Sequence, residues 1–503
     1  HLSKDGGKSW ENVTPPTELL PEWALISIIE PSPHDAATCY FAATRYKSDD
    51  LAPYLYKTDD WGQSWTRINT GIPDHHFTRV IRADPARQGV LYAGTEAGVW
   101  VSLDEGSSWS PLGVGLPVVP IHDLAVKDHD LVAATHGRGF WILDDLTPLH
   151  QLLDRDDSVD TLLFTPRETT RFLVPGRRPQ VDLNQPRGYG SAGGLAVRTQ
   201  IVKQPDGEKG LGFLDAGQNP EPGVPILYYL SAPPQESLTL RFLDAAGNEI
   251  TSFTNTVEGG EEKADQKGAS HGAPPEPKPK MSVGINRFVW NARYPDATVV
   301  PGAVFWAGGV TGPLASPGRY TVELVVDGQA QAASFDFVKD PRTTATAEDF
   351  AAQFALLLQI RDKLTATHEA INMIRALRQQ ADSWVERTKG TPQAEKVAAA
   401  AGPLREALTA VEDELIQGRS KSHEDPLNFP IKLNNKLAAL SGVVGSADAA
   451  PTQGARQVFT DVVGRVDAQL ESLEGVLVTQ LGAFNATVLE AQLPAIVPPE
   501  KKW

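Results

Sequence analysis

The sequence predicts a multidomain chain: all-β propeller blades, then a β-sandwich, then an all-α helical bundle. Three observations predict it. One Trp-ended motif occurs three times between Ser3 and Trp109. Short alternating strands bounded by Gly, Pro and Asp fill residues 223–340. From Thr346 onward apolar residues recur at three- and four-residue steps, the spacing of helices that bury one stripe.

The motif reads Ser/Thr-x-Asp-x-Gly-x-x-Trp. Its copies are Ser3-Lys4-Asp5-Gly6-Gly7-Lys8-Ser9-Trp10, Thr58-Asp59-Asp60-Trp61-Gly62-Gln63-Ser64-Trp65 and Ser102-Leu103-Asp104-Glu105-Gly106-Ser107-Ser108-Trp109. A hydroxyl and a carboxylate two residues apart accept hydrogen bonds from turn amides. Gly7, Gly62 and Gly106 suit positive φ, as does Gly6. Trp10, Trp65 and Trp109 each offer a large apolar face to pin a hairpin on a sheet. Asp5, Asp60 and Asp104 are therefore read as structural, each occupied by its own turn. The motif resembles the Asp-box, or BNR repeat, of β-propellers such as sialidases, sortilin-type receptors and xyloglucanases.

Flanking segments repeat with the boxes. Tyr40-Phe41-Ala42-Ala43-Thr44, Leu91-Tyr92-Ala93-Gly94-Thr95 and Leu131-Val132-Ala133-Ala134-Thr135 match, with Asp144-Asp145 as a degenerate last box. A period of roughly 40–50 residues with several short strands indicates propeller blades. Residues 1–150 hold about three blades, whereas propellers close with about four to eight. The expectation is that the chain is the C-terminal part of a longer protein with further blades upstream. The alternative is that another chain completes the ring.

Composition narrows the functional classes. The 503 residues carry a formal net charge of −17, which argues against nucleic acid, whose binding needs basic patches, and disfavours anionic membranes. No stretch approaches the 18 or so apolar residues of a membrane span. The single cysteine, Cys39, rules out an intrachain disulfide and reads as a small buried hydrophobe.

Residues 151–222 read as a Pro/Gly-rich linker with some strand, including 175–179 and the Gly-rich run 188–194. Residues 223–340 alternate at Ser237–Leu243 and Gly318–Val326. Such spacing fits an immunoglobulin-like or fibronectin-like module, interrupted by a polar stretch at 256–282 expected to be a mobile loop. Thr346 and Asp349 form a capping-box pair that sets a helix start. Further helices are expected near 392–417, after Pro430 and around Phe459–Phe484, giving an α-helical bundle over 346–490 and a tail at 491–503. In Asn428–Leu437, the asparagines are expected to cap or bridge helices.

A glycosidase needs two carboxylates set about 5 Å apart for retention, or further apart for inversion. Asp49, Asp50, Glu96, Asp123, Asp128, Asp130 and Asp145 are available, but the sequence pairs none of them. Arg45, Arg79, Arg82 and Arg138 could clamp a carboxylate. The best local candidate is Thr135-His136-Gly137-Arg138-Gly139-Phe140-Trp141, with His136, Arg138, Trp141 and the nearby Glu96 as ligand-binding residues. Trp61, Trp100 and Phe140 are further aromatics for stacking. His122, His129 and His136 lack metal-ligand spacing, so no metal and no cofactor are expected.

From box to helices, the chain resembles the C-terminal part of large bacterial sortilin-like BNR-repeat proteins, often labelled glycosyl hydrolases. That resemblance implies an exported protein, extracellular or periplasmic. The function expected is non-catalytic binding or scaffolding of protein or glycan partners, in a homo-oligomer or larger assembly. The alternative is a glycoside hydrolase, sialidase- or xyloglucanase-like, whose catalytic carboxylates lie largely upstream.

Overall fold

The structure, a computed structural model, describes residues 1–113, 115–155, 159–173, 187–192, 195–203, 209–214, 221–257 and 277–492. The Pro/Arg run 175–179, Gly193 and Gly194, most of the expected loop 256–282, and 493–503 lie outside the described residues. The chain divides into two compact units, His1–Val159 and Asp160–Trp503.

In the first unit, β1 (Leu25–Pro31), β2 (Cys39–Arg45), β3 (Asp50–Thr58) and β4 (Thr66–Arg67) form a four-stranded antiparallel meander. A second meander contains β5 (Thr78–Ala83), β6 (Leu91–Thr95), β7 (Gly98–Ser102) and β8 (Ser110–Pro111). The third has three strands, β9 (Ile121–Lys127), β10 (Asp130–Thr135) and β11 (Phe140–Leu143), followed by α1 (Thr147–Leu153). Strand order follows chain order, the pattern of blades. One apolar core, with Tyr40, Leu55, Ile81, Leu91 and Trp100, joins the first two sheets. A second, with Val80, Tyr92, Val101, Ile121 and Leu131, joins the second and third.

The registers correct one detail of the repeat. Cys39 pairs with Thr58 and Leu91 with Ser102, the two box hydroxyl positions. Counting from there, Ala43, not Thr44, is equivalent to Thr95. Cys39 is half-buried rather than fully buried, and burial pushes its thiol pKa up.

Boxes two and three link the third strand of a sheet to its fourth. Asp60 Oδ1 accepts from the Thr58 hydroxyl (2.8 Å) and Ser64 N (2.9 Å), and Oδ2 from the Ser64 hydroxyl (2.6 Å). Asp104 and Asp5 repeat this pattern with Ser102 and Ser108, and with Ser3 and Ser9. These bonds favour the charged form and lower Asp60 and Asp5 to about 2.

Box three also grips the end of the sheet before it, and box two grips the segment that follows box one. Trp109 Nε1 donates to Ile68 O (2.6 Å) and Trp65 Nε1 to Val13 O (2.7 Å). Gly106 sits so close to Ile68, and Gly62 to Val13, that an added Cβ would come within 2.6 Å in both cases. The first box lies in a hairpin closed by the Leu2–Glu11 bridge. Its Trp10 Nε1 finds only Gly7 O of its own turn (3.2 Å).

The second unit begins with β12 (Thr161–Leu163), β13 (Thr169–Arg171), β14 (Arg187–Ala192), β15 (Leu195–Lys203) and β16 (Lys209–Phe213). It continues with β17 (Val224–Leu230), β18 (Ser237–Leu243), β19 (Glu249–Thr256), β20 (Gly284–Trp290), β21 (Gly318–Val326) and β22 (Gln329–Lys339). Sheet β12-β17-β20 and sheet β13-β22-β21-β18-β19 share one core around Trp290, Phe242, Tyr228 and Val322. Thus β12 and β13, within the stretch expected to be a linker with some strand, are strands of these sheets. β14, β15 and β16 form a separate sheet.

Four helices follow: α2 (Ala347–Thr388), α3 (Ala394–Leu415), α4 (Leu433–Val444) and α5 (Gln453–Glu490). The Thr346–Asp349 capping box is formed, with Asp349 N on the Thr346 hydroxyl (3.2 Å) and Thr346 N on Asp349 Oδ2 (2.9 Å). Their shared core includes Ile360, Ile374, Leu404, Leu437 and Val466, and takes in Ala297 and Val300 from the loop after β20. Asn435 bridges to that loop through Trp306 N (3.0 Å) and Ala307 O (2.7 Å).

Candidate functional site

The first strand of each sheet in the first unit carries a bulge at the same place. The register shifts between Ile26 and Ile28, between Thr78 and Val80, and between Ile121 and Asp123. Ser27, Arg79 and His122 are the extra residues. A bulge re-aims a side chain and interrupts the ladder, and such features gather beside functional sites.

These residues begin a continuous polar cluster. The Ser27 hydroxyl donates to Arg79 O (2.6 Å). Arg79 donates through Nε and Nη2 to Glu96 Oε2 (2.9 and 2.8 Å). Its guanidinium lies over Phe77 (4.9 Å) and Tyr46 (5.3 Å), whose rings stack 5.0 Å apart. The His122 and His136 rings lie 4.7 Å apart and both residues are exposed. Partial desolvation of the ring against its neighbours lowers the His122 pKa, helped by the Arg79 and His136 charges and opposed by Glu96. Nearby, Asp50 accepts from Arg45 (2.9 Å) and the Tyr54 hydroxyl (2.7 Å). Burial raises the Asp50 pKa, but these bonds outweigh it and hold the carboxyl low.

Two of the sequence-derived ligand residues, Glu96 and His136, belong to this cluster. Arg138 contributes backbone: its N–H donates to the Thr135 hydroxyl (3.1 Å) and its carbonyl accepts Trp141 Nε1 (3.1 Å). Trp141 lines an apolar pocket with Leu112, Leu116, Leu131 and Ala133. Gly137 and Gly139 adopt φ of 94° and 69°, and an added Cβ on either would meet nothing within 4 Å. These glycines shape the turn rather than admit a close neighbour. Trp100 is in the core, whereas Phe140 is open to solvent.

Sequence reasoning considered Arg79 and His122 only as a carboxylate clamp and a metal ligand, and passed over Tyr46 and Phe77. The available signal was the one-residue offset before Ile28, Val80 and Asp123. Of the carboxylates considered for catalysis, Asp50 and three others are engaged: Glu96 by Arg79, Asp123 by Arg82 (2.8 Å), and Asp145 by Thr147 N (3.0 Å) and its hydroxyl (2.7 Å). Among the described residues no group of three or more His, Cys, Asp or Glu is placed to hold a metal. Among them, too, no helix is long and apolar enough to cross a membrane.

No protein-family model and no curated protein matches the chain. Solved structures of low similarity do. YCF48 bound to D1 peptide is 18% identical, with 24% of this chain and 37% of that one covered and a TM-score of 0.19. The GH74 enzyme of Niastella koreensis is 11% identical, with 62% and 46% covered and a TM-score of 0.20. The GH74 xyloglucanase of Xanthomonas campestris is 14% identical, with 62% and 47% covered and a TM-score of 0.19. The chain spans less than half the length of each of these proteins.

Proposed function

We propose that the three sheets of the first unit are blades of an Asp-box propeller serving as a non-catalytic binding module of an exported protein. The partner surface is the cluster Tyr46, Arg79, Glu96, His122 and His136, and the ligand is a protein or a glycan. The immunoglobulin-like sandwich and helical bundle act as accessory or scaffold parts. The observation that carries this reading is the bulge repeated at one position in all three first strands. A device repeated across blades, with two exposed histidine rings, a half-buried tyrosine and one ion pair around it, suits recognition. In the glycosidase alternative the catalytic carboxylates lie largely upstream, and Glu96, Asp123 and Asp145 are tied here to Arg79, Arg82 and the Thr147 turn.

A glycan array and a pull-down with the intact protein test this. Stoichiometric capture without turnover is expected, weakened at least tenfold in the double variant Arg79→Ala/His122→Ala. Turnover of a bound glycan, or binding indifferent to that variant, would overturn the assignment.

A further inference from the structure

The recognition cluster carries two imidazoles in contact, so its charge depends on acidity. The bulge in β9 leaves His122 unpaired in the ladder, and the turn between β10 and β11 supplies His136. Backbone bonds fix that turn. His136 N–H donates to Pro120 O (2.9 Å), and the Thr135 hydroxyl donates to Gly139 O (2.6 Å). The fold itself thus holds the two rings 4.7 Å apart. Neither imidazole has a hydrogen-bond partner among the described residues.

The other charges facing the rings are Arg79 of β5 and Glu96 of the β6–β7 turn, and these two pair with each other. On the histidines' own elements, Asp123 is paired with Arg82, and Arg138 is exposed. With both rings neutral, the facing charges balance, and each proton taken up adds a full positive charge. The first proton opposes the second, so the rings titrate as a coupled pair. An anion seated between them offsets that repulsion and favours the charged form of both.

The rings also indicate what carries the anion. Tyr46 stacks on Phe77 and has the Arg79 guanidinium 5.3 Å from its centre. The two imidazoles are tilted 51° to each other. The cluster therefore offers a sugar ring no flat, open face. A carboxylate asks only for one N–H donor at each of its two oxygens.

We propose that His122 and His136 form a proton-gated seat for a carboxylate side chain on an acidic peptide segment of the partner. One imidazolium N–H from each ring donates to one carboxylate oxygen. Binding takes up protons, so affinity rises as pH falls through the histidine range of about 6.5. It declines again near about pH 4, where the peptide carboxyl is itself protonated. The inference rests on the recognition reading of this cluster and adds the partner's chemistry and its dependence on acidity.

The test is NMR titration of the histidine rings in the full chain, with a capped Gly-Glu-Gly-Glu-Gly peptide and its glutamine counterpart as probes. The glutamate peptide should raise each ring's titration midpoint by about 0.5 in pH. Two such shifts multiply to binding about tenfold tighter at acidic than at alkaline pH. The glutamine peptide should do neither. His122→Gln and His136→Gln, both at exposed positions, should each lessen the pH dependence and together abolish it. His129→Asn, outside the cluster, should leave it unchanged. No binding of the glutamate peptide at millimolar concentration would overturn the inference. So would binding flat in pH, a pH dependence that survives the double histidine variant, or preference for an oligogalacturonate over the peptide. Capture that is lost in Arg79→Ala/His122→Ala yet flat in pH sinks this inference alone, so the two readings fail separately.

Discussion

Gly62 and Gly106 differ from Gly7 in what lies beyond their Cα atoms. All three adopt positive φ, at 80°, 89° and 87°. A Cβ on Gly106 would strike Ile68 at 2.6 Å, whereas one on Gly7 would meet only its own Trp10 at 3.8 Å. Gly106→Ala should therefore cost about 2–4 kcal/mol, combining left-handed strain with overpacking. Gly7→Ala should cost about 1 kcal/mol from the backbone alone. Thermal unfolding of the two variants checks this, and equal losses would contradict the close packing. Sequence alone marks all three glycines for turn conformation, because that demand is local. Which of them also touches a neighbouring strand depends on contacts from Trp109 back to Ile68, which no local pattern encodes.

At the scale of elements, the start of α2 was legible to the residue. Thr346 and Asp349 satisfy two free amides reciprocally, and the bond pattern depends only on neighbours three positions apart. Thr346→Ala should lower the stability of the second unit by about 1 kcal/mol, leaving the first unit's transition in place. The box hairpins were legible for the same reason. The candidate site was legible only in part. Glu96 and His136 were found from residue type near glycines, but the cluster is assembled by bulges in β1, β5 and β9. A bulge is a property of pairing between strands, and its residues Ser27, Arg79 and His122 share no chemistry that would flag them. β12 and β13 were missed as sheet strands because each is only three residues long and finds its partners at β17 and β22.

At the scale of the whole molecule, acidity should act on the second unit through His368. This ring lies in the helical unit with no exposed surface, its Nδ1 2.5 Å from Thr298 O. Burial lowers its pKa, with Arg375 adding to the shift and the Thr298 carbonyl opposing it. The unfolded chain binds the proton more readily, near the ordinary value of about 6.5. The buried neutral ring therefore contributes fully above that pH, and its contribution is lost as pH falls below it. The second unit's unfolding midpoint should drop between about pH 7.5 and about pH 5, and His368→Gln should flatten that dependence. Calorimetry at both values checks it; an unchanged slope in the variant would exclude His368 as the source.

The box that grips the sheet before it has a consequence for descent. The second repeat carries both a lock for its predecessor, Gly62 and Trp65 on Val13, and a catch for its successor, Ile68. A duplicated repeat therefore arrives with its fastening already matched at both ends. Such an array lengthens or shortens by whole units without compensating changes elsewhere, and the mutation that hurts it most is one that spoils lock and catch in the same copy.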